Sequence, residues 1–203
     1  VDAPCHGARD RERRANFRLP AGISAVNLAG LPPRPAAALK PGQSALFDDL
    51  LRDAPGWDDV AWLQANTRLP VILKGILHPD DARQAASLQA GGVIVSNHGG
   101  RTLDSAPPTA EVLPRIADAL AGALPLLVDG GIRRGTDILK AMALGANAVL
   151  VGKPYVFGLA NAGALGVAHV LRLLRDELEI AMALCGCATL DDLPAGLLGA
   201  GQP

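Results

Sequence analysis

From Trp57 onward, apolar and polar positions fall into two alternating textures. Asp58 to Thr67 sets Val60, Ala61 and Leu63 close to Trp62 on a helical period, which predicts a helix. Pro70-Val71-Ile72-Leu73-Lys74 is then a short apolar run ending in a charge. Pro79 to Ala90 predicts the next helix, with Pro79 in its first turn and Asp80 and Asp81 at its positive end. The strand Val93-Ile94-Val95-Ser96-Asn97 follows, then a helix over Thr109 to Ala121 and the strand Leu126-Leu127-Val128-Asp129. A helix over Thr136 to Leu144 and the strand Ala148-Val149-Leu150-Val151-Gly152 complete the series. Beyond it, Gly163 to Leu184 predicts a long amphipathic helix, and Leu190 to Leu193 a short turn.

The strand runs are continuously apolar, as expected of parallel strands covered on both faces. Strands alternating with helices imply an α/β fold with right-handed crossovers. Each run ends in polar residues: Lys74, Ser96-Asn97-His98, Asp129 and Gly152-Lys153. Active sites of (β/α)8 barrels sit at that end of their strands, so the pattern favours a TIM barrel over an open sheet. A barrel has about eight strands, whereas this chain has runs for four, plus a stub at Val1-Asp2. The expected fold is therefore the C-terminal part of a (β/α)8 barrel, from strand 4 (the stub) to strand 8. Residues 1–203 form one partial domain, in which 19–52 is a long Pro- and Gly-rich connection and 53–203 holds the strand-helix units. Ser44 to Arg52 is expected to form a short helix in that connection. The chain lacks an initiator Met and opens on what reads as a strand tail, so it is expected to be incomplete.

Composition narrows the class further. The chain is 49% hydrophobic and 19% charged, which describes a folded globular protein. A net charge of -1 argues against a broad nucleic-acid surface. The basic run Arg9 to Arg18 by itself reads as a solvated loop. Cys5, Cys185 and Cys187 make neither a disulfide framework nor a zinc motif, and are expected to be reduced thiols of a cytoplasmic protein. No signal peptide and no bilayer-spanning apolar stretch are expected.

Candidate chemistry lies at the strand ends. Asp129-Gly130-Gly131-Ile132-Arg133-Arg134-Gly135-Thr136 and Gly152-Lys153-Pro154 suit a phosphate site, with glycine amides close to the oxygens, a helix N-terminus nearby, and charge from Arg133 and Lys153. Lys74 at a strand end needs an anionic partner: a substrate, a phosphate, an electron-rich ring, or simply a salt bridge at the rim. In Ser96-Asn97-His98-Gly99-Gly100-Arg101, His98 suits proton exchange near neutrality and Arg101 suits a carboxylate.

Ser96 to Arg101, followed by Leu103-Asp104, resembles the active-site signature of the FMN-dependent α-hydroxy-acid oxidases and dehydrogenases. Val1 to Pro4, Asn16 to Pro20, Trp57 to Leu63, Leu73-Lys74-Gly75, Asp129 to Gly135 and Met182 to Gly186 fall in that family's order. The resemblance implies FMN as cofactor and a small (S)-2-hydroxy acid as substrate, with oxygen or another carrier as electron acceptor. It implies His98 as the base for the substrate's hydroxyl proton and Asp2 as the carboxylate orienting it. Arg101 and Arg9 would grip the substrate carboxylate, which gives Arg9 a use beyond a solvated loop. Lys74 and Ser96 would contact the flavin, and Asp129, Gly131, Arg133, Gly152 and Lys153 its ribityl-phosphate end. Lys153 stands where the family usually has arginine, and Thr102 where it has glutamine. The family's first barrel half carries two substrate-facing tyrosines, whereas this chain has only Tyr155. Two other readings stay open: a non-catalytic remnant or binding module, and a non-redox phosphate-binding barrel enzyme. Relatives often form homo-oligomers, which extends to the complete protein as an expectation.

Overall fold

The structure is a computed structural model and describes residues 5, 7–32, 38–194 and 196–199. The expected strand stub at Val1-Asp2 lies outside them. Four parallel strands, β1 (Ile72–Ile76), β2 (Gly92–Val95), β3 (Leu126–Val128) and β4 (Ala148–Val149), form one sheet in sequence order. That order, with one helix per crossover, is what the alternating texture requires. The helices are α1 (Asp10–Arg14), α2 (Trp57–Asn66), α3 (Pro79–Ser87), α4 (Thr109–Leu120), α5 (Gly135–Ala143) and α6 (Lys153–Leu184).

Local chemistry sets the helix starts. Pro79 opens α3 while the His78 ring accepts from the Asp80 amide at 3.2 Å. At α2, the Gly56 amide donates to Asp59 at 2.7 Å. All four residues of β2 are buried, as a central strand with both faces covered demands. Val93, Val95, Val112, Leu113 and Ile116 form the centre of the core, where α4 closes over the sheet. Burying each such side chain stabilises the fold by about 1.5–3 kcal/mol. Among the described residues, β1 and β4 each pair on one side only. Large apolar side chains are exposed at the flanks, among them Trp62, Leu69, Phe157 and Leu165.

Several boundaries differ from the expected ones. β1 extends past Lys74 through Gly75 to Ile76, with a register irregularity between Lys74 and Ile76. β4 is only two residues long. The helix expected within 19–52 is a π-helical turn, Ala45–Leu50, capped by Ser44 Oγ. The last helix begins at Lys153 rather than Gly163, because Pro154 suits a first turn. At Ala162-Gly163 its backbone leaves helical geometry (Gly163 φ 55°, ψ -139°), so Gly163 marks a break between two helical segments. Taken together, Lys153–Leu184 is long and apolar enough to cross a membrane by length and composition, contrary to the expectation of no such stretch. The feature is legible in the sequence, since Pro154 to Leu171 contains no Asp, Glu, Lys or Arg. The i,i+4 pairs Arg172–Asp176 (2.7 Å) and Arg175–Glu179 (2.8 Å) lie in the second segment.

The close approach of α5 to α6 depends on Gly135. A Cβ there would run into the backbone of Glu177 and Leu178. Gly135→Ala is therefore expected to destabilise the protein by about 1–3 kcal/mol through overpacking. This is read as a lowered urea midpoint, and an unchanged midpoint would contradict this account of the helix pair.

Candidate active site

The ends of β1, β2 and β3 meet because the parallel register sets Lys74 beside Ile94 and Val95 beside Val128. Lys74 Nζ lies 3.1 Å from Asp129 Oδ2 and donates to Ser96 Oγ at 3.0 Å. Ser96 is fully buried and also accepts from the His98 amide at 3.1 Å. Thus Lys74 already has an anionic partner, and Asp129 stands against Lys74 as well as beside the glycine loop. Thr109 Oγ1 anchors that loop by donating to the Asp129 carbonyl at 2.7 Å. The other carboxylate oxygen, Asp129 Oδ1, is buried with no hydrogen-bond partner among the described residues. Leaving such an acceptor unsatisfied costs about 1–3 kcal/mol, which a ligand hydroxyl or N–H at this point would recover.

His98 has a left-handed backbone, φ 55°, in a non-glycine residue. Strain of this kind costs about 1–3 kcal/mol and persists only where surrounding contacts hold it. Two such contacts are visible: the Ser96 hydroxyl on its amide, and Gly75 beneath its ring. A Cβ on Gly75 would lie 2.8 Å from His98 Nε2 and 3.2 Å from Cε1. Gly75 itself has φ +103° at the irregularity of β1. The missing side chain at Gly75 leaves the space that the imidazole fills.

Arg9 and Arg101 come from distant parts of the chain. The Gly7 amide donates to the Arg101 carbonyl at 3.0 Å, which holds the segment before α1 against the His98 loop. Glu12 Oε1 accepts from Arg9 Nε at 2.9 Å and Nη2 at 2.7 Å, and lies 4.0 Å from Arg101 Nη2. The Arg9 hydrogen bonds, with smaller help from the Glu12 amide and the charges of both arginines, hold the Glu12 carboxyl below its usual range. A lowered carboxyl pKa means the pair survives acidification through the ordinary carboxylate range and loosens only below it.

The glycine-rich end departs from expectation in one respect. Asp137 Oδ2 accepts from the amides of Arg133 and Arg134, both at 3.0 Å, and Glu177 Oε2 accepts from Gly135 at 2.9 Å. Carboxylates therefore already take the amides of Arg133, Arg134 and Gly135 at the N-terminus of α5. Donors for an anion remain in the side chains of Arg133 and Lys153, at the ends of neighbouring strands, and around Gly131. The start of α6 adds to them, since Gly152 provides no side-chain cap there. Arg134 instead faces Glu177 at 3.9 Å.

Contacts thus join Lys74, Ser96, His98 and Asp129 in one cluster, and Arg9 to Arg101 through Glu12. Gly131 and Arg133 lie in the adjacent glycine-rich loop, and Gly152 and Lys153 at the start of α6. Asp2 lies outside the described residues. Sequence reasoning missed Glu12, Gly75 and Glu177. Glu12 left a trace as an acid three residues after Arg9, whereas Gly75 and Glu177 act across space. Gly75→Ala is expected to displace the His98 ring and to shift its imidazole NMR resonances. It should also lower stability by about 1–3 kcal/mol, given the strained backbone. Unmoved resonances would count against the Gly75 seat.

The family described as FMN-dependent dehydrogenase matches residues 1–200. The L-lactate oxidase of Roseobacter sp. (strain GAI101) is 53% identical over 198 residues, which are 98% of this chain and 54% of that enzyme. Glycolate oxidase 1 of Zea mays is 45% identical, over 95% of this chain and 53% of that enzyme. Among solved structures, a mandelate oxidase variant with the C4a-OH-FMN adduct superposes with a TM-score of 0.80 at 44% identity, over 96% of this chain and 53% of that one. The chain spans about half the length of the curated relatives it matches. Its four-stranded parallel sheet corresponds to part of the relatives' (β/α)8 barrel. By sequence and by fold, the chain belongs to the FMN-dependent dehydrogenase family.

Proposed function

We propose that the chain carries the catalytic half of an FMN-dependent enzyme oxidising a small (S)-2-hydroxy acid to its 2-oxo acid. The observation that carries this reading is the meeting of the Lys74–Ser96–Asp129 cluster with His98, beside the paired Arg9 and Arg101. The residues present suit the cofactor: Asp129 Oδ1 offers a buried acceptor for a polyol hydroxyl, and Arg133 and Lys153 offer charge for a phosphate. When bound, FMN accepts the two electrons released as the substrate's α-carbon is oxidised.

The chain's own groups do the rest. Arg9 and Arg101 hold the substrate carboxylate, which fixes where the α-hydroxyl lies. His98 takes the hydroxyl proton, and Asp2 is assigned to orient the ring and stabilise its charged form. Lys74 sets positive charge where electrons arrive, while Asp129 offsets that charge before they do. Ser96 keeps Lys74 and the His98 loop in register. The oxidase names of the relatives favour oxygen as the acceptor. Three free cysteines are compatible with a reducing, cytoplasmic setting.

Adding FMN and then glycolate or (S)-lactate without oxygen tests the reading. The expected result is flavin uptake followed by loss of its visible absorbance. His98→Gln should keep the flavin and slow the bleaching by about 10²–10⁴-fold, the usual contribution of a general base. Unimpaired bleaching in that variant would refute the role of His98. Flavin uptake without bleaching would instead support a binding module.

A further inference from the structure

Given the roles proposed for Arg9 and Arg101, we infer that Glu12 is the positioning residue of the carboxylate grip. Its side chain is half exposed and lies at the point where the two guanidinium groups converge. Oε1 takes the Nε–Nη2 edge of Arg9 with two hydrogen bonds, so the guanidinium plane is fixed from that side. The Nη1 side is left turned away from Glu12, and a substrate carboxylate can use it.

The local chain makes this arrangement natural. Arg9 is the N-cap of α1, with a left-handed backbone (φ 54°), and Glu12 lies in its first turn, so the two side chains meet on one face of that turn. The Gly7–Arg101 backbone bond then carries that face to the His98 loop. Two unpaired guanidinium groups at this spacing repel each other and spread. A carboxylate between them offsets the repulsion and orders two rotamer-rich side chains before the substrate arrives. Their ordering entropy is then met in folding and not in binding.

Simple attraction and positioning predict opposite signs. If Glu12 only competes with the substrate's charge, then Glu12→Ala must tighten anion binding. If Glu12 positions the arginines, then Glu12→Ala must weaken it, and Glu12→Gln, whose amide oxygen still accepts from Arg9, must largely rescue it. Oxalate, a planar dicarboxylate with no α-hydrogen to lose, serves as the probe. It is titrated calorimetrically into the FMN-supplemented chain, and the arginine Nε–Hε NMR signals are followed in parallel. The expected result is about three- to tenfold weaker binding in Glu12→Ala, loss of the ordered Arg9 Nε–Hε signal, and near wild-type binding in Glu12→Gln. Equal or tighter binding in Glu12→Ala would overturn the positioning role and leave the proposed function standing. Failure of the wild-type chain to bind oxalate would overturn the carboxylate grip itself, and the role of Glu12 with it.

Discussion

The Ser96 hydroxyl, buried at the end of β2, accepts from the Lys74 ammonium on one side and the His98 amide on the other. The rest of the site depends on this junction. Lys74 lies within β1, two residues before its end, where an unpaired charge is costly. It is tolerable there because Asp129, at the end of β3, completes the pairing. Parallel strands in register bring these ends together without any long loop. With Ser96 fixed, the chain leaves β2 in the left-handed turn that aims His98 over Gly75.

Around this junction, charges are divided between two tasks. Carboxylates that brace structure sit on donors: Asp137 and Glu177 on the amides opening α5, and Glu12 on Arg9. Asp129 does both, since one oxygen pairs with Lys74 and the other is buried without a partner. Such a buried acceptor is a stability cost that a bound group can remove. Binding and folding are therefore linked at Asp129, in the same way that Glu12 links arginine ordering to folding.

The α5–α6 contact extends this bracing to the C-terminal helix. Gly135 admits the α6 backbone, and Glu177 reaches back to the Gly135 amide. A helix end that alone would attract an anion is thereby neutralised from within the fold. In the proposed reading, anion binding falls instead to the side-chain cations Arg133 and Lys153 and to the start of α6.

The order and type of the elements were legible in the amino-acid pattern, because continuous apolar runs and helical spacing reflect burial directly. The same pattern also placed Ser96, His98, Asp129 and the two glycine loops just past strand ends, where an apolar run stops, whereas β1 continues two residues beyond Lys74. The family followed from one ordered set of motifs. What these groups touch became visible in three dimensions alone. That Asp129 pairs with Lys74, that Gly75 seats His98, and that Glu12 joins Arg9 to Arg101 are contacts between residues on different elements or across a turn. The closed N-terminus of α5 belongs with them: a sequence shows a helix beginning after glycines, but not the Glu177 carboxylate that arrives 42 residues later to occupy it. Periodicity records which face is buried, whereas the partner on that face is set by strand register and helix packing.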